Sequence, residues 1–385
     1  MRAGPESPVD RLLLPGESEA VILGPFLAHK NIHSGNDSER AVTASFLNAL
    51  VFSDMLRARD IVVVTASLGG LEALTKLVAD LPGDLPASVF IVLHIGAYDS
   101  ALPKLLEAAT RLPVRYARDG DDIQKAFVYL APPDRHLILH EGKTRLANGP
   151  KENFTRPAAD PLFRSAAVSY GRRVVGVVLT GKLDDGAAGL EAIDACGGYT
   201  IVQDPSDCVA SDMPSNALEA VRADVVAPIA EIGAAILNAL RGSVMAKRIN
   251  VTARQRAEIE TRVALTGRSS PEDLESLGQR SSLTCPDCGG VIWRVGEDLP
   301  LRYRCHTGHA FSAKSLDQEQ TGATEKALWI AVRRLEERLL LAREELAAAV
   351  AANPHDVPCF SARVQRFQSS LETVRDMALN PDHIQ

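Results

Sequence analysis

The sequence predicts an α/β protein built on a doubly wound, mostly parallel sheet. Short β-branched runs such as IVVV, SVFIVLH and VVGVVLT alternate with amphipathic helical segments from Ile61 to about Arg241, which is typical of a parallel sheet wrapped by helices. These runs are apolar throughout, as expected for strands buried on both faces. Between Phe127 and Leu146 the apolar runs FVYLAP, HLILH and TRLA are too closely spaced for crossover helices, so we expect an antiparallel hairpin at the sheet edge.

Composition and pattern divide the chain into five segments. Met55 stands directly before the first predicted strand and is a candidate for the true start of the protein. The expected segments are a poorly ordered extension rich in Pro, Gly and Ser (1–58), the α/β catalytic domain (59–241), a polar linker with one candidate helix in TARQRAEIETRV (242–283), a small Cys/His module resembling a zinc ribbon (284–314) and C-terminal helices (315–385).

Charge and cysteine content narrow the possible partners and the compartment. Lys and Arg number 42 against 49 acidic residues, and no basic block stands out that would hold a phosphate backbone, so nucleic acid is not an expected partner. Neither a secretory signal nor a run of about 18 apolar residues is present, which argues against secretion and membrane insertion. Three of the six cysteines crowd into one short window, a pattern that suits a reducing cytoplasm better than a disulfide framework.

Ser67 is the first candidate for chemistry. It lies in VVVTASLGGLEAL, directly after an apolar strand and before a helix, where a sharp turn would expose its hydroxyl. Gly69 and Gly70 would let a substrate approach the backbone, and free N–H groups at a helix start can bind a developing oxyanion. The alternative interpretation is a serine that only caps the helix.

His94 and an acidic pair follow two other predicted strands. His94 ends FIVLH and therefore lies at the carboxyl edge of the sheet, where open α/β sheets bind ligands. A dinucleotide-binding loop would place an acid at that strand end, so nucleotide binding is disfavoured. In VVGVVLTGKLDDGAAGL, Asp184 or Asp185 could accept a hydrogen bond from His94, although either could simply cap the next helix. Together these residues predict a serine hydrolase.

The motifs ASLGGLEAL, VLHIG, YLAPPDRHL, TRPAADPLF and VVLTGKLDDGAAGL resemble successive landmarks of the CheB-type protein-glutamate methylesterase domain, over about residues 59–240. The resemblance implies a doubly wound fold with Ser67 as nucleophile, His94 as base and Asp185 as the acid that orients it. It also implies hydrolysis of glutamate methyl esters on methyl-accepting chemoreceptors, with release of methanol and sometimes deamidation of glutamine. No catalytic cofactor is implied, and the expected setting is chemotaxis signal transduction.

The sequence departs from the usual family pattern at three positions near the predicted site. The family has Gly where Thr65 stands, Thr where Leu68 stands and Met where Lys182 stands. Leu68 and Lys182, together with Gly69 and Gly70, are the candidates for the substrate and oxyanion site. Because the triad is unaffected, these changes bear on substrate preference and rate more than on mechanism.

The residues before the catalytic domain lack the length and alternation of the family's phospho-receiver domain. Activation by aspartyl phosphorylation in cis, the usual phosphorelay input, is therefore not expected. In this respect the chain resembles the stand-alone branch of the family, whose members often carry a cysteine-rich tail and helix. An alternative function is a catalytically weak signalling adaptor that retains the fold and binds partners through its C-terminal tail.

The window TCPDCGGVIWRVGEDLPLRYRCHTGHAF predicts a zinc site. Cys285 and Cys288 form a Cys-x-x-Cys knuckle, and Cys305 with His309 closes a tetrahedron suited to zinc, with His306 as an alternative fourth ligand. Four protein ligands leave no open position, so the predicted zinc is structural. The alternative is a set of reduced, metal-free cysteines.

A long helix near the C-terminus carries one apolar stripe, which needs a partner. Packing against the helix around Phe360 to Met377 is the favoured interpretation, because short antiparallel helix pairs are common, and homodimerisation is the alternative. The residues of the stripe are Leu328, Val332, Leu335, Leu339, Ala342 and Leu346.

Overall fold

The computed structural model describes residues 58–94, 100–242, 247–296, 300–352 and 354–380. These all belong to the compact unit Met55–Gln385. The expectations about residues 1–57, including a start at Met55, lie outside the described residues.

A parallel sheet forms the centre of the predicted catalytic domain. Among the described residues its strand order is β3-β4-β2-β1-β7-β8-β9, and each neighbouring pair is parallel. The doubly wound parallel sheet predicted from the sequence is therefore confirmed. The strands of this region are β1 (Ile61–Ala66), β2 (Ser88–Leu93), β3 (Val114–Tyr116), β4 (Phe127–Leu130), β5 (His136–His140), β6 (Lys143–Ala147), β7 (Val174–Val178), β8 (Tyr199–Gln203) and β9 (Val225–Ala227).

Helices cover both faces of the sheet, because alternate residues of each strand point to opposite sides. On one face Val62 and Val64 pack in a core with α1 and α6, and on the other Ile61 and Val63 pack with α3 and α4. Each fully buried valine contributes roughly 1.5–3 kcal/mol to folding. The helices are α1 (Gly70–Ala79), α2 (Leu102–Glu107), α3 (Ala159–Tyr170), α4 (Ala187–Ala195), α5 (Asp212–Ala220) and α6 (Ile229–Arg241).

The order of the strands places a switch point at the centre of the sheet. β1 lies between β2 and β7, so the chain turns to one side after β1 and to the other after β7. Ala66 pairs with Leu93 and Thr65 with Val178, so the three strands end at nearly the same level. The residues that follow these strands therefore meet in the crevice where open α/β sheets bind ligands.

The predicted antiparallel hairpin is present, but it does not extend the edge of the main sheet. β5 and β6 form a separate two-stranded sheet, whereas the FVYL run is β4 inside the parallel sheet. Leu137 and Leu139 of the hairpin are buried in the core on the α3 side, and the Leu139 N–H donates to Ser165 on α3. The hairpin therefore packs against α3, where its apolar side chains are buried.

The segment expected to be a linker (242–283) contains the helix α7 (Val251–Thr266), which covers the helix expected in TARQRAEIETRV. It also contains the helix α8 (Pro271–Leu277) and the start of the strand β10 (Gly278–Thr284), which were not expected. On α7 Ala257 and Val263 are buried, and α7 packs against α3. Much of the buried face of α7 consists of alanine, which carries little hydrophobic signal in the sequence.

The Cys/His segment folds as a small antiparallel sheet in the order β10-β11-β12-β13. Two antiparallel helices follow, and Val332, Leu339 and Ala342 of the first are buried with Phe367 and Leu371 of the second. The apolar stripe therefore packs within the chain. Among the described helices, none combines the length and apolarity that crossing a membrane requires. The elements are β11 (Val291–Val295), β12 (Arg302–Cys305), β13 (Ala310–Ser312), α9 (Ala313–Ala352) and α10 (Val357–Leu379).

Candidate active site

Ser67 occupies the turn between β1 and α1. Its N–H donates to Thr180 O at 2.9 Å, and its own carbonyl accepts from the N–H of Gly70 at 2.8 Å. Gly69 has φ +78°, and a Cβ there would lie 2.6 Å from Val209 Cβ, so this position requires glycine. The backbone N–H groups of Leu68 and Gly69 have no acceptor among the described residues. The turn thus presents the hydroxyl-bearing residue beside two donors, as an oxyanion site requires.

An open cleft of about 850 Å³ lies at this turn, and Ser67 and His94 both line it. Leu68 is 49% exposed at the cleft, and Gly69 and Gly70 form part of its wall. Lys182 is exposed on the loop after β7, outside the described residues that line the cleft. Among the described residues no hydrogen bond joins the Ser67 hydroxyl to His94.

His94 and Asp185 form a direct pair. His94 Nε2 lies 2.7 Å from Asp185 Oδ2, although the two residues are 91 positions apart. Asp185 is 2% exposed, so the pair is shielded from water on the carboxylate side. Of the two acids that the sequence left open, the structure therefore pairs Asp185 with His94. With Nε2 used in this way, Nδ1 is the ring nitrogen of His94 that has no hydrogen-bond partner among the described residues.

Three further donors hold the Asp185 carboxylate. Oδ2 accepts from the N–H of Ala159 at 2.6 Å, and Oδ1 accepts from Asp160 N–H at 3.2 Å and Asn153 Nδ2 at 3.1 Å. Burial raises the pKa of Asp185, but the hydrogen bonds and charge of His94 and the other donors outweigh it, and the net pKa lies below the ordinary value. The carboxylate therefore stays ionised and fixed in orientation.

A family model described as CheB methylesterase matches residues 62–236. A relative in Leptospira interrogans, named putative protein-glutamate methylesterase/protein-glutamine glutaminase, is 36% identical over 173 residues, which cover 44% of this chain and 90% of that protein. The chain belongs to the CheB methylesterase family. The resemblance predicted from the sequence motifs is confirmed.

Other curated relatives are matched over only part of their length. A protein-glutamate methylesterase/protein-glutamine glutaminase of Anaeromyxobacter dehalogenans is 43% identical over 178 residues, 46% of this chain and 52% of that protein. The chain spans about half the length of this and similar curated relatives. The crystal structure of the Thermotoga maritima CheB methylesterase catalytic domain is 33% identical, with 47% of this chain and 99% of that chain covered and a TM-score of 0.45.

Within the CheB methylesterase domain, the structure adds two site residues that the sequence analysis did not single out. Asn153 Nδ2 bridges two carboxylates, at 3.0 Å from Asp160 Oδ2 and 3.1 Å from Asp185 Oδ1. Asp160 Oδ1 accepts from the N–H groups of Gly186 and Gly189 at 3.0 and 2.7 Å. Asp160 lies in the TRPAADPLF motif, whose match to the family was the available signal.

Asp160 should make the stability of the domain depend on pH. Burial, and then repulsion from Asp185, raise the pKa of Asp160 to about 7. A raised carboxyl pKa means that the folded state binds more protons than the unfolded state, so this contribution to stability is lost as pH rises from about 4 to about 7. We expect the unfolding free energy of Asp160→Asn to lack this decline, measured by urea unfolding between pH 5 and 7.5.

A matched control for this pH dependence is Asp317→Asn, which changes an exposed carboxyl on α9. It should keep the pH dependence of the unmodified protein. If the unmodified protein and Asp160→Asn showed the same change of unfolding free energy with pH, the raised pKa of Asp160 would be contradicted.

The Cys/His module brings the four predicted ligands together. Single ligand atoms of Cys285, Cys288, Cys305 and His309 all lie within 4.8 Å of one another. Cys288 and Cys305 Sγ are 3.8 Å apart, and His309 Nδ1 lies 3.7 Å from Cys285 Sγ and 3.4 Å from Cys305 Sγ. A tetrahedron with Zn–S near 2.3 Å and Zn–N near 2.0 Å has edges of about 3.5–3.8 Å, so this set of donors fits zinc.

The position of the His309 ring also suits a metal ligand. Its other nitrogen, Nε2, lies 3.8 Å from Asp287 Oδ2, and a carboxylate behind a ligating histidine is the usual outer partner in zinc sites. His306, the alternative fourth ligand, is not part of this cluster of described residues.

A buried ion network joins the module to the catalytic domain. Arg304 Nη2 lies 3.0 Å from both Glu152 Oε1 and Glu260 Oε1, and Arg164 Nη2 lies 2.5 Å from Glu152 Oε2. Burial raises the pKa of each glutamate, but the surrounding arginines more than compensate and the net pKa of both is lowered. Since these side chains are at most 4% exposed, the module contacts the methylesterase domain through a buried interface, in which removal of any one charge would leave a buried partner with one counter-charge fewer.

Proposed function

We propose that this chain is a protein-glutamate methylesterase that hydrolyses glutamate methyl esters on a methyl-accepting chemoreceptor or a related helical signalling protein. It would also deamidate glutamine side chains at the same kind of site. The observation that carries the proposal is the 2.7 Å contact between His94 and the buried carboxylate of Asp185, with His94 and Ser67 lining one open cleft. Membership of the CheB methylesterase family supports the same reaction.

In the proposed mechanism Ser67 Oγ attacks the ester carbonyl and passes its proton to His94 Nδ1. The proton then goes to the departing methoxide, methanol leaves, and a glutamyl ester remains on Ser67. Water, activated by His94, hydrolyses that ester and restores the serine. Asp185 orients the imidazole and stabilises its charged form throughout, so it lowers the barrier to both steps.

The backbone would bind the charge that develops on the substrate. The N–H groups of Leu68 and Gly69 are placed beside Ser67 and would donate to the oxyanion, which is worth roughly 2.7–4 kcal/mol per donor. Leu68 and Leu71 are 49% and 43% exposed at the cleft. These apolar side chains suit a helical surface that presents a methylated glutamate among aliphatic neighbours.

The test is methanol release from a methylated chemoreceptor. We expect methanol to appear as each modified glutamate loses the mass of one methylene group. Mass spectrometry of receptor peptides measures this loss. The control is the same protein whose serine has been blocked in advance with a fluorophosphonate. Equal methanol release by free and blocked protein would refute the proposal, and retained receptor binding without methanol release would favour the adaptor alternative.

We further propose that Cys285, Cys288, Cys305 and His309 hold one structural zinc ion. The fit of the donor distances to a zinc tetrahedron supports this, and Asp287 would hold the ring of His309. The zinc would supply no catalytic step, because four protein ligands leave no position for water or substrate. Its contribution would be to the folding of the small sheet β10–β13.

Removal of one zinc ligand should unfold the module. We expect about one zinc per chain in the native protein, measured by elemental analysis, and none in Cys288→Ser, whose module should become sensitive to proteolysis because zinc binding supplies roughly 10–16 kcal/mol to such folds. Cys359→Ser, which changes another exposed cysteine, should keep the zinc and the resistance. Native protein without zinc and with an unchanged thermal transition on chelation would contradict the site.

A further inference from the structure

Asn153 connects the C-terminal module to the predicted triad. On the catalytic side, its Nδ2 group donates to Asp185 Oδ1 and to Asp160 Oδ2. On the other side, its Oδ1 accepts from the N–H of Ser312 in the module at 3.2 Å and from Ser315 Oγ in the first turn of α9 at 3.3 Å. Asn153 is 8% exposed, so all four of these bonds lie in a buried environment.

The module determines which way the Asn153 amide points. A flip of the amide would direct its oxygen at the carboxylates of Asp160 and Asp185 and its N–H₂ group at the donor Ser312 N–H, and buried polar groups that face like partners are costly. The donors at the start of α9 therefore favour the orientation in which both amide protons face the carboxylates. Without those donors, the free-energy difference between the observed orientation of the amide and a flipped or displaced one would be smaller.

The backbone of Asn153 is held by the same module. Its N–H donates to Ala310 O at 2.9 Å on β13, and its neighbour Glu152 is bound by Arg304 on β12 and by Arg164 on α3. Asn153 has φ +48°, a conformation that asparagine tolerates better than most residues. Both the backbone and the side chain of this residue are thus placed by contacts with the module.

We propose that Asn153 is a positioning residue through which the Cys/His module holds Asp185 in register with His94. The module then acts as a brace for the triad rather than as a separate appendage, and the esterase requires it in its docked form. This inference rests on the proposed hydrolase function. Asn153 is not among the described residues that line the cleft, and its contact with the predicted triad is the hydrogen bond to Asp185.

The first experiment compares Asn153→Ala with Asn148→Ala, a matched change at an exposed asparagine in the same region. We expect the rate constant for fluorophosphonate labelling of Ser67 to fall about tenfold to a hundredfold in Asn153→Ala, as expected for loss of one hydrogen bond to a charged group. The final labelled fraction should stay complete. In ester hydrolysis kcat should fall while KM is unchanged, because the cleft is intact.

The second variant removes one of the two groups that donate to Asn153 Oδ1, the Ser315 hydroxyl, which also accepts a hydrogen bond from Ser312 N–H. Ser315→Ala deletes the hydroxyl that donates to Asn153, and Ser276→Ala, a change at an exposed serine on α8, is its control. We expect Ser315→Ala to slow labelling in the same direction by a smaller factor, of about threefold to tenfold. Ser276→Ala should label at the rate of the unmodified protein.

A spectroscopic measurement tests the inference without turnover. In protein with nitrogen-15 histidine, the imidazole N–H proton shared by His94 and Asp185 should resonate far downfield, and this signal should shift or broaden in Asn153→Ala but not in Asn148→Ala. An unchanged signal together with unchanged labelling in Asn153→Ala would overturn the inference. A lower labelled fraction with a normal rate constant would likewise overturn it, because that result shows a purely structural role.

These outcomes separate this inference from the proposed function. If the unmodified protein were not labelled at Ser67, the proposed hydrolase function would be refuted. The positioning role of Asn153 would then fall as well, because it rests on that function. If the unmodified protein were labelled and Asn153→Ala matched it in rate and spectrum, the hydrolase would stand and only the role of Asn153 would fall.

Discussion

Ser67→Ala is expected to lower the rate of glutamate methyl ester hydrolysis by at least about 10⁴-fold, because no other group can form the acyl intermediate. The backbone donors at Leu68 and Gly69 and the cleft itself remain, so KM for the receptor should change little. The measurement is methanol release under saturating methylated receptor, with fluorophosphonate labelling as a second readout. Labelling should be lost entirely.

Ser169→Ala is the matched control for the nucleophile. Ser169 is exposed at the end of α3 and donates to Leu139 O, far along the chain from the cleft residues. It should hydrolyse and label at the unmodified rate. If Ser67→Ala kept more than about a tenth of the activity, Ser67 would not be the nucleophile and another hydroxyl would have to be sought.

Asp185→Asn is expected to lower kcat/KM by about 10³–10⁴-fold. A neutral amide at this position cannot stabilise a charged His94 ring. Both carboxylate oxygens of Asp185 accept hydrogen bonds, so the N–H₂ group that replaces one of them would face other donors. The shape of the side chain is almost unchanged, so the fold should persist. The measurements are the rate of methyl ester hydrolysis, which gives kcat/KM, and the thermal unfolding transition, which checks that the fold persists.

Asp184→Asn tests whether activity depends on the carboxylate that contacts His94 or on any buried carboxyl group nearby. Asp184 is the preceding residue, is also buried, and its Oδ1 has no hydrogen-bond partner among the described residues. Burial raises the pKa of Asp184, so replacing the carboxyl with a neutral amide should be tolerated there. We expect activity within about threefold of the unmodified protein. A larger loss in Asp184→Asn than in Asp185→Asn would reverse the assignment.

The predicted positions of Ser67, His94 and Asp185 followed from a simple rule. Each lies just beyond a buried strand, and parallel strands that are neighbours in the sheet bring their carboxyl ends to one edge. The structure brings His94 and Asp185 into contact and places Ser67 at the same cleft. The catalytic roles of the three residues stay predictions, and Ser67→Ala and Asp185→Asn test two of them directly.

Asn153 and Asp160 could not be found in this way. Asn153 lies 32 positions from Asp185, in an irregular segment with no periodic pattern, and it is placed by contacts with a module that follows about 150 residues later in the chain. Only a resemblance in the TRPAADPLF motif pointed near it. The packing of α7 was missed for a related reason, since an alanine face such as Ala257 packs closely without a strong hydrophobic pattern.

Local pattern was sufficient for the parallel sheet, the turn at Ser67 and the spacing of Cys285, Cys288, Cys305 and His309, because strand burial, turn geometry and knuckle spacing are encoded by residues close together in the chain. Tertiary structure decided which aspartate His94 meets and that the Cys/His module docks through Arg304 against Glu152. These contacts join residues far apart in sequence, and buried charges adopt whichever pairing the packed backbone allows.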